Sequence, residues 1–307
     1  MNVGVIGLGL MGLSVARNLA KAGFHTTAYD VRPEVAAGEP SLKAALDVAT
    51  VGAASEIVFL SLPGPAEVEA VCLGAGGLMS SMRPGGTVVD LSTNSMASVK
   101  KIAAEMAKAS IAFLDGPVSG GPWGAADGTL AIWVGGDHAA FERAFPVLQA
   151  IGKRITHMGD TGTGTVTKLA HNVAANIRTS MLGEIMSLAY KAGIEPTALL
   201  SAVRDGSHGR TRTFDHMGFK ILDRTFDDPA FRLRHARKDL AVALELGGEL
   251  GVPLALTSVV MDLVDKAMAQ GWGDLDSNVQ VRVIEQEAGI DIPAVDRTIL
   301  ATILARD

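Results

Sequence analysis

The sequence predicts an α/β fold: a doubly wound parallel-sheet domain over residues 1–162, followed by an all-helical domain over residues 163–307. Up to about residue 160, short apolar stretches alternate with helical patterns, as in parallel sheets whose crossover helices cover both faces. Beyond that point, strand patterns largely stop. Between the two regimes, apolar residues recur at spacings of three and four, which predicts a long helix over about 164–193 that bridges the domains.

The individual elements are predicted with uneven clarity. Strands are expected just before Gly7 and over residues 25–29, 56–62, 87–91, 111–115, 129–135 and 153–158. Helical patterns follow Gly12 and cover residues 66–71, 96–109 and 137–150, whereas residues 31–55 show no clear pattern. In the second domain, helices are predicted over residues 196–204, 214–222, 231–250, 254–270, 275–289 and 293–306.

Composition excludes several classes of function. The 307 residues carry a formal net charge of −6, which gives no support for nucleic-acid binding. No run of 18 apolar residues exists, so no membrane association is expected. The apolar start of the chain has no basic leader and is interpreted as a strand. Cys72 is the only cysteine, which excludes an intrachain disulfide and fits a reducing, cytoplasmic location. No metal-ligand spacing is found.

The first predicted strand is followed by a GxGxxG turn, whose residues are Gly7, Leu8, Gly9, Leu10, Met11 and Gly12. A helical pattern comes after it, and the next strand ends at Asp30, which completes the context of a dinucleotide-binding βαβ unit. Gly7 permits the tight turn, Gly9 lets a pyrophosphate approach the backbone, and Gly12 lets the helix pack closely on the strand. The alternative is a structural glycine turn without a ligand.

Asp30 bears on the choice of cofactor. Its carboxylate is expected to bond the adenosine ribose hydroxyls and to repel a 2′-phosphate, which favours NAD over NADP. Arg32, two residues further on, is a second candidate cofactor contact and argues in the other direction. Further candidates stand at the ends of later strands, where parallel sheets bind ligands: Leu62 with Pro63, and Thr93. Each of these alone is more often an ordinary turn residue.

The strand that ends at Asp115 leads into Ser119, Gly120 and Gly121. These three residues offer a hydroxyl and two unobstructed backbone amides between two prolines, which suits a small anion. A plain surface turn is the alternative.

Glycines 159, 162 and 164 form a side-chain-poor turn that enters the long predicted helix. Lys168 and Asn172 are four residues apart and therefore stack on one face near its start. The positive end of the helix dipole and partial burial both favour loss of a proton from Lys168, as a lysine general acid/base requires. His171 is predicted to point away from this face. An ordinary polar stripe is the alternative interpretation.

A basic segment lies in the second domain. Residues 204–238 hold nine Arg and Lys but five Asp, a net charge of +4 within an acidic chain. Such a local field suits an anionic substrate and cofactor, although a solvated charged face is the better interpretation of most of these side chains. Lys238 begins an amphipathic run and is expected to face inward.

Four stretches together resemble the β-hydroxyacid dehydrogenase family, which includes 3-hydroxyisobutyrate dehydrogenases and tartronate semialdehyde reductases. They are Gly7–Gly12 with Asn18–Gly23, Asp115–Gly121, Gly159–Asn172 and Lys238–Leu240. The resemblance covers essentially the whole chain. It implies a Rossmann-type domain joined by a long helix to a helical domain, an active site in the interdomain cleft, and a homodimer or homotetramer.

The resemblance also implies roles for individual residues. Lys168 matches the family's catalytic lysine, and Asn172 its substrate-orienting asparagine. Ser119, Gly120 and Gly121 match the loop that holds the carboxylate of a small anionic substrate. Leu62 with Pro63, Thr93 and Lys238 match cofactor contacts. The expected activity is hydride transfer between NAD(H) and a 3-hydroxy acid or its semialdehyde.

Two departures from the family pattern shape the substrate prediction. The segment between Asp30 and Ile57 is shorter than expected, and Ser207–Arg212 and Arg232–His235 are more basic than expected. The basic stretches suggest that the substrate carries a second anionic group. An imine reductase and a redox-inert binding protein on the same fold are the alternatives; loss of the lysine would mark the second, and Lys168 is present.

Overall fold

A computed structural model describes residues 1–206 and 212–305 of the chain. The chain divides into two compact units, Met1–Leu169 and Ala170–Asp307. The predicted boundary lies a few residues earlier, between residues 162 and 163, and stays a prediction.

The described part of the first unit contains a single nine-stranded sheet. Its strands are β1 Asn2–Ile6, β2 His25–Tyr29, β3 Lys43–Ala44, β4 Ile57–Leu60, β5 Thr87–Asp90, β6 Ala112–Asp115, β7 Val118–Ser119, β8 Leu130–Gly135 and β9 Gly152–Gly159. The order is β3-β2-β1-β4-β5-β6-β8-β7, and β9 pairs with β8. The first six strands are parallel, in the strand order typical of dinucleotide-binding folds.

The far edge of the sheet is where the strands depart from the predicted parallel arrangement. β8 pairs antiparallel with both β6 and β7, while β9 pairs parallel with β8. A parallel return needs a long crossover, but β7 and a six-residue helix already occupy most of the connection between β6 and β8. The chain therefore turns back on itself. Alternation of strand and helix patterns does not distinguish this return from a crossover.

The helices of the first unit are α1 Leu10–Lys21, α2 Pro33–Ala37, α3 Val48–Ala54, α4 Pro65–Leu73, α5 Leu78–Ser81, α6 Met96–Lys108, α7 Gly121–Ala126 and α8 His138–Leu148. They cover both faces of the sheet, because alternate residues of one strand enter different cores. In β4, Phe59 packs in one apolar cluster, whereas Val58 and Leu60 pack in the other. The doubly wound α/β class is thereby confirmed. Residues 31–55, which showed no clear pattern, form α2, the two-residue β3 and α3.

The long predicted helix is α9 Thr163–Lys191, and it begins within the first unit and continues into the second. The second unit continues with α10 Pro196–Asp205, α11 Arg212–Asp223, α12 Leu233–Leu250, α13 Ala255–Ala269, α14 Val281–Ala288 and α15 Arg297–Leu304. Its apolar core includes the fully buried Leu182, Leu200 and Ile221. The helix predicted over 275–289 starts later, because a 3₁₀ turn, Ser277–Gln280, precedes α14.

No helix in residues 1–206 or 212–305 is long and apolar enough to cross a membrane.

Candidate active site

The glycine turn after β1 has the geometry that the sequence predicts. Gly7 adopts a φ of +90°, which L side chains rarely adopt, and a Cβ there would overlap the backbone oxygen of Ser61. A Cβ on Gly12 would overlap the carbonyl oxygen of Gly7, so α1 packs directly on the turn. At Gly9, which precedes α1, the corresponding space is open, with no atom within 4 Å. The turn therefore leaves room for a phosphate group at the start of a 12-residue helix, and these residues fit a dinucleotide.

The other residues of this turn divide between packing and exposure. Leu8 is 2% exposed, and Met11 packs against the same apolar core. Leu10 is 69% exposed.

Asp30 stands one residue beyond β2, beside the glycine turn. Its Oδ2 accepts the amide of Leu8 at 2.7 Å, and its Oδ1 accepts the amide and the Nε of Arg32 at 3.0 and 3.1 Å. Burial alone would raise the pKa of Asp30, but these hydrogen bonds and the guanidinium outweigh it, and the pKa lies below its ordinary value. The carboxylate is therefore ionised at neutral pH, next to the position where a ribose would follow the phosphates.

The predicted contacts after β4 and β5 are held together by a buried network. The amide of Leu62 donates to Oγ of Ser92 at 2.9 Å. Ser92 in turn donates its amide to Oδ1 of Asp90 at 3.0 Å, and Asn94 donates Nδ2 to Oδ2 at 3.0 Å. Thr93 stands between these two donors and is half-buried. Asp90, which the sequence analysis did not single out, therefore organises this stretch.

Asp90 is an unusual carboxylate, only 1% exposed at the end of β5. Burial raises its pKa to about 6, although the hydrogen bonds from Asn94 and Ser92 oppose the rise, and the charge of Asp115 adds to it. Asp115 is its partner in register on β6. Each oxygen of Asp90 accepts one of these hydrogen bonds, so this side chain fixes the backbone that follows β5.

The turn after β6 brings two of its glycines into the left-handed half of backbone space. Ser119 ends β7 and is half-buried, and it is followed by Gly120 with a φ of +136° and Gly121 with a φ of +62°. A side chain would strain both positions. Glycine is therefore the residue that the backbone of this turn requires at both positions.

The start of α9 packs on the ends of β6 and β8. Gly159 and Gly162 form the turn, with φ values of +119° and +99°. Gly164, predicted as part of the same turn, is instead a helical residue. A Cβ on Gly164 would overlap the carbonyl oxygens of Asp115 and Trp133, so its role is to allow close packing.

Lys168 lies on the second turn of α9 and is half-buried. Asn172, one turn further along the helix, is 6% exposed and donates Nδ2 to Oδ2 of Asp239. His171 is exposed, and its Nδ1 lies 3.0 Å from Oδ1 of Asn172. Both ends of the asparagine amide are thus fixed by side chains. Lys238 lies on the same network, with Nζ 3.2 Å from Oδ1 of Asp239.

The basic segment 204–238 is mostly neutralised by acids from outside it. Arg232 and Arg234 both pair with Asp274, and Arg237 pairs with Asp265 at 2.5 Å. The remaining field still acts on His235: burial, Lys238, Arg232 and Arg234 lower its pKa. The predicted basic stretch Ser207–Arg212 lies outside the described residues up to position 211.

The candidate residues of the first unit lie at the carboxyl ends of its parallel strands. The glycine turn, Asp30, Leu62 with Pro63, and Thr93 follow β1, β2, β4 and β5, which are parallel neighbours. Asp115 is the last residue of the next parallel strand, at the same end of the sheet, and its side chain holds the start of α9. Sequence reasoning missed Asp90, Asp115 and Asp239 as partners of these residues. The available signal was an aspartate directly at a predicted strand end, or directly beside a candidate lysine.

No group of three or more His, Cys, Asp or Glu within residues 1–206 and 212–305 could hold a metal ion.

Two family models match most of the chain. Residues 2–159 match the family model of the NAD-binding domain of 6-phosphogluconate dehydrogenase. Residues 162–284 match the family model of the NAD-binding domain of NADP-dependent 3-hydroxyisobutyrate dehydrogenase.

Characterised relatives align along nearly the whole chain. The 2-(hydroxymethyl)glutarate dehydrogenase of Eubacterium barkeri is 36% identical over 294 residues, covering 95% of this chain and 97% of the relative. The 2-hydroxy-3-oxopropionate reductase of Escherichia coli K12 is 35% identical over 289 residues, covering 93% and 97%. The crystal structure of 3-hydroxyisobutyrate dehydrogenase from Salmonella typhimurium is similar with a TM-score of 0.82 at 28% identity, covering 92% of this chain and 99% of that one. The family models match an NAD(P)-binding domain and the helical second unit, and the relatives align along nearly the whole chain. The chain therefore belongs to the β-hydroxyacid dehydrogenase family.

Proposed function

We propose that the protein catalyses reversible hydride transfer between NAD(H) and a 3-hydroxy acid or the corresponding semialdehyde. One observation carries the proposal: Asp115 holds the start of α9 at the sheet edge where the glycine turn opens, and Lys168 is on the second turn of that helix. The amine proposed to transfer the proton and the glycine turn proposed to bind the dinucleotide thus both lie in the first unit, at the carboxyl ends of its parallel strands. The characterised relatives act on small hydroxy acids and oxo acids by their names, which supports the same reaction class.

The proposed roles follow from the contacts of each group. The carboxylate of the substrate binds to Ser119 and to the amides of Gly120 and Gly121, which fixes the reactive carbon. In oxidation, Lys168 accepts the hydroxyl proton; in reduction, it returns that proton to the forming alkoxide. Asn172, its amide held by Asp239, orients the substrate hydroxyl.

The dinucleotide is held by the turn Gly7–Gly12 and by Asp30, with Leu62, Pro63, Thr93 and Lys238 as the remaining contacts. When bound, its nicotinamide ring supplies the hydride acceptor or donor. The chain contributes the positioning and the proton transfer, and no metal ion is needed for either role.

Steady-state kinetics with Lys168→Ala tests the central role. We expect kcat to fall by on the order of 10²–10⁴-fold, the usual contribution of general acid–base catalysis, while NAD affinity stays near the wild-type value. Lys191→Ala is the matched control, because Lys191 lies on the last turn of the same helix and bonds the carbonyl of Ala288 at 2.6 Å. Equal turnover of the Lys168→Ala variant and the control would remove Lys168 from the mechanism.

NAD is the proposed cofactor in preference to NADP. Because its pKa is lowered, the Asp30 carboxylate is ionised and repels a 2′-phosphate. Hydrogen bonds from the amides of Leu8 and Arg32 hold it in place. The family model of the second domain nevertheless refers to an NADP-dependent enzyme. Measuring kcat/KM with both coenzymes decides the matter: NAD should be preferred, and Asp30→Asn should narrow the difference. A wild-type preference for NADP would overturn this assignment.

We further propose that the substrate carries a second anionic group. The glutarate-derived substrate named for one relative has two carboxylates, and Lys238 and the arginines near His235 make the surroundings of that imidazole cationic. A panel of 3-hydroxy acids of equal chain length, with and without a second carboxylate, tests this point. Higher kcat/KM for monoacids would contradict it, and activity on cyclic imines alone would indicate an imine reductase.

We propose that the protein works in the cytoplasm as a homodimer or homotetramer. Support comes from large apolar side chains exposed on the second unit: Leu188 is 74% exposed, Leu256 68% and Val259 66%. Apolar surface of this kind commonly marks protein interfaces. Light scattering at micromolar concentration should give two or four times the chain mass of 31.8 kDa.

A further inference from the structure

The feature that leads beyond the proposed function is the buried carboxylate of Asp115. It is 1% exposed, and its two oxygens accept backbone amides from the residue directly before α9 and from the first turn of that helix. Gly162 donates to Oδ1 at 2.8 Å, and Thr165 donates to Oδ2 at 2.7 Å. The first amides of a helix have no partner within the helix and are usually capped by a residue next to it in sequence. Here the cap comes from 47 and 50 residues earlier in the chain.

The packing around this carboxylate leaves little room for movement. A Cβ on Gly135 would lie 2.6 Å from Oδ1 of Asp115 and 2.9 Å from the amide nitrogen of Gly164. A Cβ on Gly164 would overlap the carbonyl oxygens of Asp115 and Trp133. Two glycines on opposite sides of the contact thus bring the helix backbone directly onto the strand ends. The helix can shift only if the carboxylate or the strands shift as well.

Asp115 connects two parts of the proposed site. Four residues further along the chain is Ser119, where the proposed carboxylate-binding turn begins. Thr165, which Asp115 holds, precedes Lys168 by three residues, or about 4.5 Å along the helix axis. One side chain therefore ties the segment that binds the substrate to the helix that carries the proton-transferring amine.

We propose that Asp115 is a positioning residue for catalysis, which fixes the distance between the Ser119–Gly121 turn and Lys168. This inference rests on the proposed function of Lys168. An aspartate that only stabilised the helix would affect folding and leave the turnover of folded enzyme unchanged. An aspartate that sets the geometry would affect the chemical step, because a displacement of about 1 Å in an active site can cost on the order of 100-fold in rate.

The experiment compares Asp115→Asn and Asp115→Glu with Asp137→Asn as a matched control. Asp137 caps α8 by accepting the amide of Ala140 at 2.8 Å, but α8 carries none of the site residues. Asp115→Asn turns one acceptor into a donor that faces an amide, whereas Asp115→Glu keeps the charge and lengthens the side chain. Turnover is expressed per NAD-binding site, so that protein that fails to fold does not enter the result.

For both Asp115 variants, we expect kcat to fall by on the order of 10- to 100-fold, with the NAD dissociation constant within about threefold of wild type. The isotope effect on kcat, with deuterium on the carbon that bears the hydroxyl, should be at least as large as in wild type. The control should keep the wild-type kcat. Wild-type kcat per site in both Asp115 variants, or an equal loss in the control, would overturn the inference. Lys168→Ala, assayed alongside, separates this outcome from a failure of the proposed function, since full activity of that variant would refute the function itself.

Discussion

The buried carboxylate of Asp90 makes the stability of the first unit depend on pH in a direction that can be derived from the structure. Its pKa is raised from 3.8 to about 6 in the folded protein, mainly by burial. The folded state therefore binds a proton more tightly than the unfolded chain does. The stabilisation from this proton is fully present below about pH 4 and is lost as the pH rises through about 6.

The magnitude follows from the same two values. The full displacement corresponds to about 3 kcal/mol, of which about 1.4 kcal/mol should appear on going from pH 8 to pH 5. For a unit of 169 residues, that amounts to a Tm difference of about 3–5 °C. Asp90→Asn removes this titration, so the Tm of wild type minus that of the variant should increase by this amount as the pH falls.

The assay should report on the first unit alone. Of the three tryptophans, Trp123 and Trp133 lie in the first unit and Trp272 in the second, so a Trp272→Phe background confines the fluorescence to the first unit. Asp47→Asn is the control: Asp47 caps α3 at the surface and its pKa is lowered, so no titration between pH 5 and 8 is expected from it. Parallel Tm profiles for wild type and Asp90→Asn would refute the reasoning.

Three further predictions concern other parts of the chain. Gly9→Ala should leave the Tm within about 1 °C, because its Cβ enters open space, and should weaken NAD binding, because that space is the one proposed for the phosphates. Gly12→Ala should lower the free energy of unfolding by about 1–3 kcal/mol, because its Cβ overlaps backbone. Equal Tm values for the two variants would contradict this contrast. Cys72 is fully buried and burial raises the pKa of its thiol, so a thiol reagent should label it only as the protein unfolds, and fast labelling of native protein would be inconsistent with its position. Leu188 lines an apolar groove of about 480 Å³, and Leu188→Glu should reduce the mass found by light scattering; Leu46→Glu, at a site 93% exposed, is the control that should not.

The parts of the site that depend on local sequence could be predicted. The roles of Gly7 and Gly12 follow from the tight turn between one strand and the next helix, and the structure shows the close contacts that the motif requires. The position of Asp30 beside the turn follows from the pairing of two consecutive parallel strands. These features arise within a span of about 30 residues, where the pattern of the chain determines which groups meet.

The parts that depend on distant segments could not be predicted. Asp115 meets Gly162 and Thr165 only because β6 and the start of α9 pack together. Similarly, the charge of residues 204–238 was counted without Asp265, Asp274 and Glu285, which pair with its arginines across the second unit. A segment's net charge therefore overestimates its field in the folded protein. The reversal of β8 was missed for a related reason, since pairing direction is decided by the connection and not by the strand's own residues.

The continuity of α9 has a consequence for building chimaeras. The compact units divide between Leu169 and Ala170, inside an unbroken helix and between Lys168 and Asn172. A recombinant that joins the first unit of one homologue to the second unit of another must be spliced within this helix and must keep the residue count unchanged. A single inserted residue would rotate everything after it by about 100° about the helix axis and carry the asparagine away from the face that bears the lysine.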